Sequence, residues 1–109
     1  MRRLPTDFEL MILLAILRLD GEAYGVSVAR ELEDRAGRPT TLGAVYLALE
    51  RLHDNGLVSY ELGEATPARG GRAKKFFRVT PKGLRAVRAA QQAFVALWTG
   101  LPALKGGAS

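Results

Sequence analysis

Apolar residues recur with helical spacing in four stretches of this chain and alternate in two short ones, and that order predicts its elements. The first stretch is the least typical. Leu10-Met11-Ile12-Leu13-Leu14-Ala15-Ile16-Leu17 is apolar on every face, with Thr6 and Glu9 placed three apart as a capping box and Asp20-Gly21 beyond the end near Leu19. A helix of this kind must be buried all round. In a chain of 109 residues one neighbour cannot cover it, so a second chain is expected to do so.

A second helix is predicted from Gly25 or Val26 to Ala36. Val28, Ala29 and Leu32 face inward, and Gly37 with Pro39 supplies the stop. Thr40 and Thr41 offer N-caps to a third helix from about Leu42 to Asp54, with a core stripe of Leu42, Val45, Leu49 and Leu52. After Asn55-Gly56 the period shortens. Residues 57–62 and 75–79 read as strands of a hairpin whose long tip is rich in Gly and basic residues. Thr80-Pro81 then starts a last helix to about Thr99. Leu84, Val87, Phe94, Trp98 and Leu101 extend its apolar face beyond what so small a core needs, and the tail from Lys105 is expected to be mobile.

Three helices followed by a two-stranded wing make a mainly α winged helix-turn-helix. The expected division is a DNA-binding part over residues 1–80, then a dimerisation helix and tail over 81–109, all in one compact domain.

Charge sharpens this reading. The net charge of +5 conceals two opposed halves, since residues 1–64 hold all eleven carboxylates against seven arginines. From Thr66 onward there is no acidic residue, and nine of the sixteen basic ones lie there. The excess begins at the hairpin tip, Arg69-Gly70-Gly71-Arg72-Ala73-Lys74-Lys75, and such a field attracts nucleic acid. Arg69, Arg72, Lys74 and Lys75 are therefore candidate contacts to the DNA backbone. On the third helix, Thr40 and Thr41 present hydroxyls and free amides to phosphate, Gly43 and Ala44 permit close approach, and Tyr46 has a hydroxyl to donate. Leu47 fits a thymine methyl, while Arg38 and Arg51 are candidate backbone contacts. Arginine or asparagine placed as direct base readers are scarce, so specificity is expected from a few contacts, DNA shape or dimer geometry.

Enzymatic function has little support. The chain has no cysteine, its one histidine, His53, has no catalytic or metal-ligand cluster to join, and Gly70-Gly71 lacks the setting of a phosphate-binding loop. No cofactor is expected. Arg2 and Arg3 ahead of the apolar run suggest a signal peptide, but Asp7, Glu9, Arg18 and Asp20 interrupt the pattern, and eight apolar residues are too few to span a bilayer. A cytoplasmic protein without membrane contact is expected. The competing reading is a winged-helix module that docks a protein through Tyr46-Leu47 instead of DNA.

Tyr24-Gly25, Gly43-Ala44-Val45-Tyr46-Leu47-Ala48-Leu49-Glu50-Arg51-Leu52, Asn55-Gly56-Leu57 and Gly71-Arg72-Ala73-Lys74-Lys75-Phe76-Phe77-Arg78-Val79-Thr80 resemble the PadR family of bacterial transcriptional regulators, over residues 8 to 88. Ala44 stands where that family usually has threonine, Leu47 where it has proline, and Phe76-Phe77 where it has two tyrosines. The resemblance implies a homodimeric repressor on a pseudo-palindromic operator in double-stranded DNA. Its last helix would cross the partner, with Leu10, Leu13, Leu14, Leu17, Leu84, Val87, Phe94, Trp98 and Leu101 at the interface. A single last helix looks like the short form of the family, some of whose members bind aromatic effectors. Phe94 and Trp98 are the candidates here to line such a site or, on the plainer reading, to fill the dimer core.

Overall fold

The computed structural model describes residues 4–63 and 73–105. Helix α1 spans Asp7–Leu19, and its capping box is complete: the Thr6 amide donates to Glu9 Oε1 at 2.9 Å and the Glu9 amide to Thr6 Oγ1 at 3.2 Å. These bonds satisfy two amides that the helix itself leaves open and keep the buried Glu9 carboxylate partnered. Asp20 ends the helix in the left-handed region at φ 41°, and its amide bonds Ile16 O. Helix α2 covers Gly25–Ala36. The Ser27 hydroxyl serves its start twice, accepting from the Tyr24 amide at 2.9 Å and donating to Glu22 O at 2.8 Å. Gly37, at φ 65°, closes it as the sequence predicts.

Helix α3 runs Leu42–Asp54 from its cap Thr41, whose hydroxyl accepts from the Ala44 amide at 3.1 Å. Strands β1, Val58–Leu62, and β2, Lys75–Val79, pair antiparallel with Val58 opposite Val79 and Tyr60 opposite Phe77. The free edge of β2 is tied back to the link between α1 and α2, because the Phe77 amide donates to Ala23 O at 2.7 Å. Helix α4, Pro81–Trp98, is capped by Thr80, which also donates from its hydroxyl to Gly56 O at 2.7 Å. Gly83 is required there, since a side-chain carbon would overlap the Leu57 carbonyl. Beyond α4 a single 3-10 turn, Pro102–Leu104, stands in a segment that the sequence marks only as a helix end.

The core is one cluster in which Ile12, Leu13 and Ile16 of α1 meet Val28 and Leu32 of α2, Val45, Leu49 and Leu52 of α3, and Val58, Phe77 and Val87 of the wing and α4. Three expectations need correction. Leu42 is exposed, and the α3 stripe is instead Val45, Ala48, Leu49 and Leu52, because the first turn of α3 overhangs the core. Strand β1 begins at Val58, as Leu57 is occupied in a turn, its amide donating to Leu52 O and its carbonyl accepting from Thr80. Leu13 and Val87, expected at a subunit interface, are fully and nearly fully buried in their own chain. Their side chains shape the surface from beneath and do not reach it.

Candidate nucleic-acid interface

The outer face of α3 and the root of the wing meet along one side of the molecule. Tyr46 and Leu47 are each about half exposed, at 51% and 50%, and Gly43 has open space around it. Thr41 spends its hydroxyl on the cap, as either reading of that residue requires, while Thr40 and Ala44 are half-buried at the same end. The Tyr46 ring lies directly on Gly25, where any side-chain carbon would overlap it. That contact explains Tyr24-Gly25 at the start of α2: glycine lets the ring seat there with its hydroxyl over the helix start.

The arginines are disposed differently. Arg51 is exposed, and no ion pair to Glu50 or Asp54 forms among the described residues, so it is free to meet a phosphate. Arg38 is held against α1, with its guanidinium 4.9 Å from the Phe8 ring centre and 3.4 Å from Asp7 Oδ2. An exposed pair of that length contributes well under about 1 kcal/mol, so a DNA phosphate can displace it.

At the wing, Lys74 and Lys75 sit on opposite sides of β2. The Lys74 ammonium lies 3.9 Å from the centre of the Tyr24 ring, and that of Lys75 lies 4.7 Å from Tyr60. Both contacts keep the ammonium groups at the surface while aligning their stems. Arg69 and Arg72 fall outside the described residues. Phe77 is buried and Phe76 half-buried with its edge toward Tyr24 at 5.7 Å, so the pair anchors the wing in place of two tyrosines.

Between α3 and the hairpin lies a cleft of about 370 Å³ lined by Tyr46, Leu49, Glu50, His53, Tyr60, Lys75 and Phe77. The His53 and Tyr60 rings meet at a tilt with centres 5.1 Å apart, as do those of Tyr60 and Phe77 at 5.6 Å. The sequence reading gives neither His53 nor Tyr60 a place in the interface. The signal was present all the same: Tyr46, Glu50 and His53 are spaced four and three apart on α3, and alternation along β1 turns Tyr60 toward them.

A second exposed surface is richer in large apolar side chains. On α1, Leu14 and Leu17 are 43% and 41% exposed, beside a groove of about 550 Å³ between α1 and α2 with Arg18, Glu31 and Arg35 among its lining residues. On α4, Phe94, Trp98 and then Leu101 are open to solvent, the two aromatic rings meeting edge to face at 6.0 Å. Leu10 and Leu84 are half-buried. Among the described residues no group of carboxylate and histidine side chains could hold a metal, and no helix is long and apolar enough to cross a membrane.

This arrangement defines a winged-helix protein of the transcription-regulator class. Residues 13–89 match the sequence profile of the transcriptional regulator PadR-like family, and the chain belongs to that family. Among solved structures, a PadR family transcriptional regulator from Eggerthella lenta is 28% identical, with a TM-score of 0.67 over 88% of this chain and 81% of its own. A PadR-like regulator from Bacillus cereus is 23% identical, with a TM-score of 0.68 over 84% of each chain. Bacillus subtilis PadR, solved in complex with operator DNA, is 18% identical, with a TM-score of 0.67 over 79% of this chain and 47% of its own. The last two speak to fold alone. No curated protein matches the chain.

Proposed function

We propose that the protein is a homodimeric, sequence-specific DNA-binding repressor acting in the cytoplasm, with α3 in the major groove and the wing on the adjacent backbone or minor groove. The observation that carries this reading is the α3 face itself: a capped, amide-rich start, small Gly43 and Ala44, then exposed Tyr46, Leu47 and Arg51, flanked by the wing lysines. A protein of the same fold, Bacillus subtilis PadR, has been solved with operator DNA, which supports the same use of the fold here. Arg38, Thr40, Thr41, Arg69, Arg72, Lys74 and Lys75 then serve as backbone contacts.

Homodimerisation is supported by the large apolar side chains that Leu14 and Leu17 on α1 and Phe94, Trp98 and Leu101 at the end of α4 leave open to solvent. A twofold dimer reads a pseudo-palindrome with half-site centres about 10 base pairs apart or a multiple of that. Phe94 and Trp98 supply aromatic faces on which a small aromatic effector would stack, releasing the operator by altering how the two α4 helices cross.

The test is selection of bound sites from random duplex DNA, followed by a salt titration on the enriched site. Enrichment of a palindrome whose affinity falls steeply with salt supports the reading. Failure to enrich any site would favour the protein-docking module built on Tyr46 and Leu47.

A further inference from the structure

Two grips on DNA leave a strand between them. If α3 fills a major groove and the wing reaches the neighbouring minor groove, the sugar–phosphate strand separating those grooves crosses the surface between α3 and the hairpin. That surface is the cleft of Tyr46, Glu50, His53, Tyr60 and Lys75. We infer that this cleft seats one backbone phosphate of that strand, with His53 as a contact that strengthens when its imidazole is protonated. The inference rests on the DNA-binding reading above and extends it to a site and a response to acidity.

The groups present suit a phosphodiester. Lys75 supplies an ammonium, while Tyr60 and Tyr46, 37% and 51% exposed, border the cleft with their rings. His53 keeps 47% of its side chain exposed, so a ring nitrogen can reach a phosphate while the ring stays in its tilted contact with Tyr60. The charged and titratable groups facing His53 are Glu50 and Asp54 from its own helix, Tyr60 from β1 and Lys75 from β2, with Asp54 Oδ1 4.0 Å from the imidazole Nδ1. With the imidazole neutral, Lys75 is the one cation there, against the carboxylates of Glu50 and Asp54, and the hold on a phosphate is weak. With it protonated, the local charges balance, and a second cationic donor faces the phosphate.

His53 is the one histidine of the chain, so the response to acidity can be traced to it. The probe is a duplex of random sequence labelled with tetramethylrhodamine, because a phosphate contact is independent of sequence, followed by anisotropy at a series of pH values from about pH 8 to about pH 5.5. The wild type should tighten by about three- to tenfold, and its salt slope should steepen by about 0.9 at the acidic end. His53→Gln should remove both changes, and His53→Arg should hold the tighter binding at every pH. Identical pH profiles for the wild type and His53→Gln would overturn the cleft assignment while leaving DNA binding intact. No binding to duplex DNA at either pH would overturn the DNA-binding reading and this inference with it.

Discussion

The molecule has two exposed faces, and they differ in kind. Along α3 and the wing, aromatic and cationic side chains are exposed among small, aliphatic and acidic ones, and three are steadied by a neighbour: Tyr46 by Gly25, Tyr60 by His53 and Phe77, Lys74 by Tyr24. Along α1 and the outer half of α4, the large exposed side chains are mainly apolar, with Leu97 at 74%, and Arg18, Gln91 and Gln92 are exposed among them. A charged, preorganised face suits a polyanion, which is attracted at long range and positioned by directional bonds. A mainly apolar face suits a surface of its own kind, where area removed from water supplies the free energy. The difference supports the two partners proposed above, which are of unlike chemistry: DNA on one side and a second copy on the other.

Leu13 and Leu14 give the widest separation between what supports a face and what forms it. Leu13→Ala should destabilise the fold by about 2–5 kcal/mol in denaturant melts, because Leu13 is fully buried and its truncation opens a cavity in the core cluster. Leu14→Asp or Trp98→Asp should leave the folded chain nearly as stable at low concentration but give monomers in sedimentation. A stable wild-type monomer at micromolar concentration would break the assignment of that face to a second copy.

Across the molecule, Lys74→Ala with Lys75→Ala should weaken binding to every duplex by roughly tenfold and lower the salt slope by about 2, leaving sequence preference unchanged. Altered preference instead would make these lysines readers of bases. Smallest of all, Thr41→Ala should cost about 1 kcal/mol of stability through the lost α3 cap and weaken DNA binding only slightly, as the helix start loosens.

Much of the architecture can be read before folding because its boundaries are written in local chemistry. The Thr6–Glu9 box, the Thr41 and Thr80 caps, Pro81 and Gly37 act within a few residues, and all of them fall where the sequence places them. The interior of α1 is harder. When every position from Leu10 to Leu17 is apolar, periodicity vanishes, and only the neighbouring helices decide that Leu13 goes in and Leu14 stays out. The His53–Tyr60–Phe77 cluster is only half legible: spacing puts His53 on the outer face of α3 and Tyr60 on the inner face of β1, but their meeting depends on how the hairpin leans against α3, which local spacing does not specify.

The bond from the Phe77 amide to Ala23 O also has an engineering consequence. With β2 gripped on one edge by β1 and on the other by residue 23, and Gly63 bonded through its amide to Lys74 O at 2.7 Å, the hairpin is closed at its root independently of its tip. The bonds named here hold the root from outside residues 64–72. Lengthening, shortening or recharging that stretch should retune the hold on DNA while the body of the regulator keeps its melting temperature.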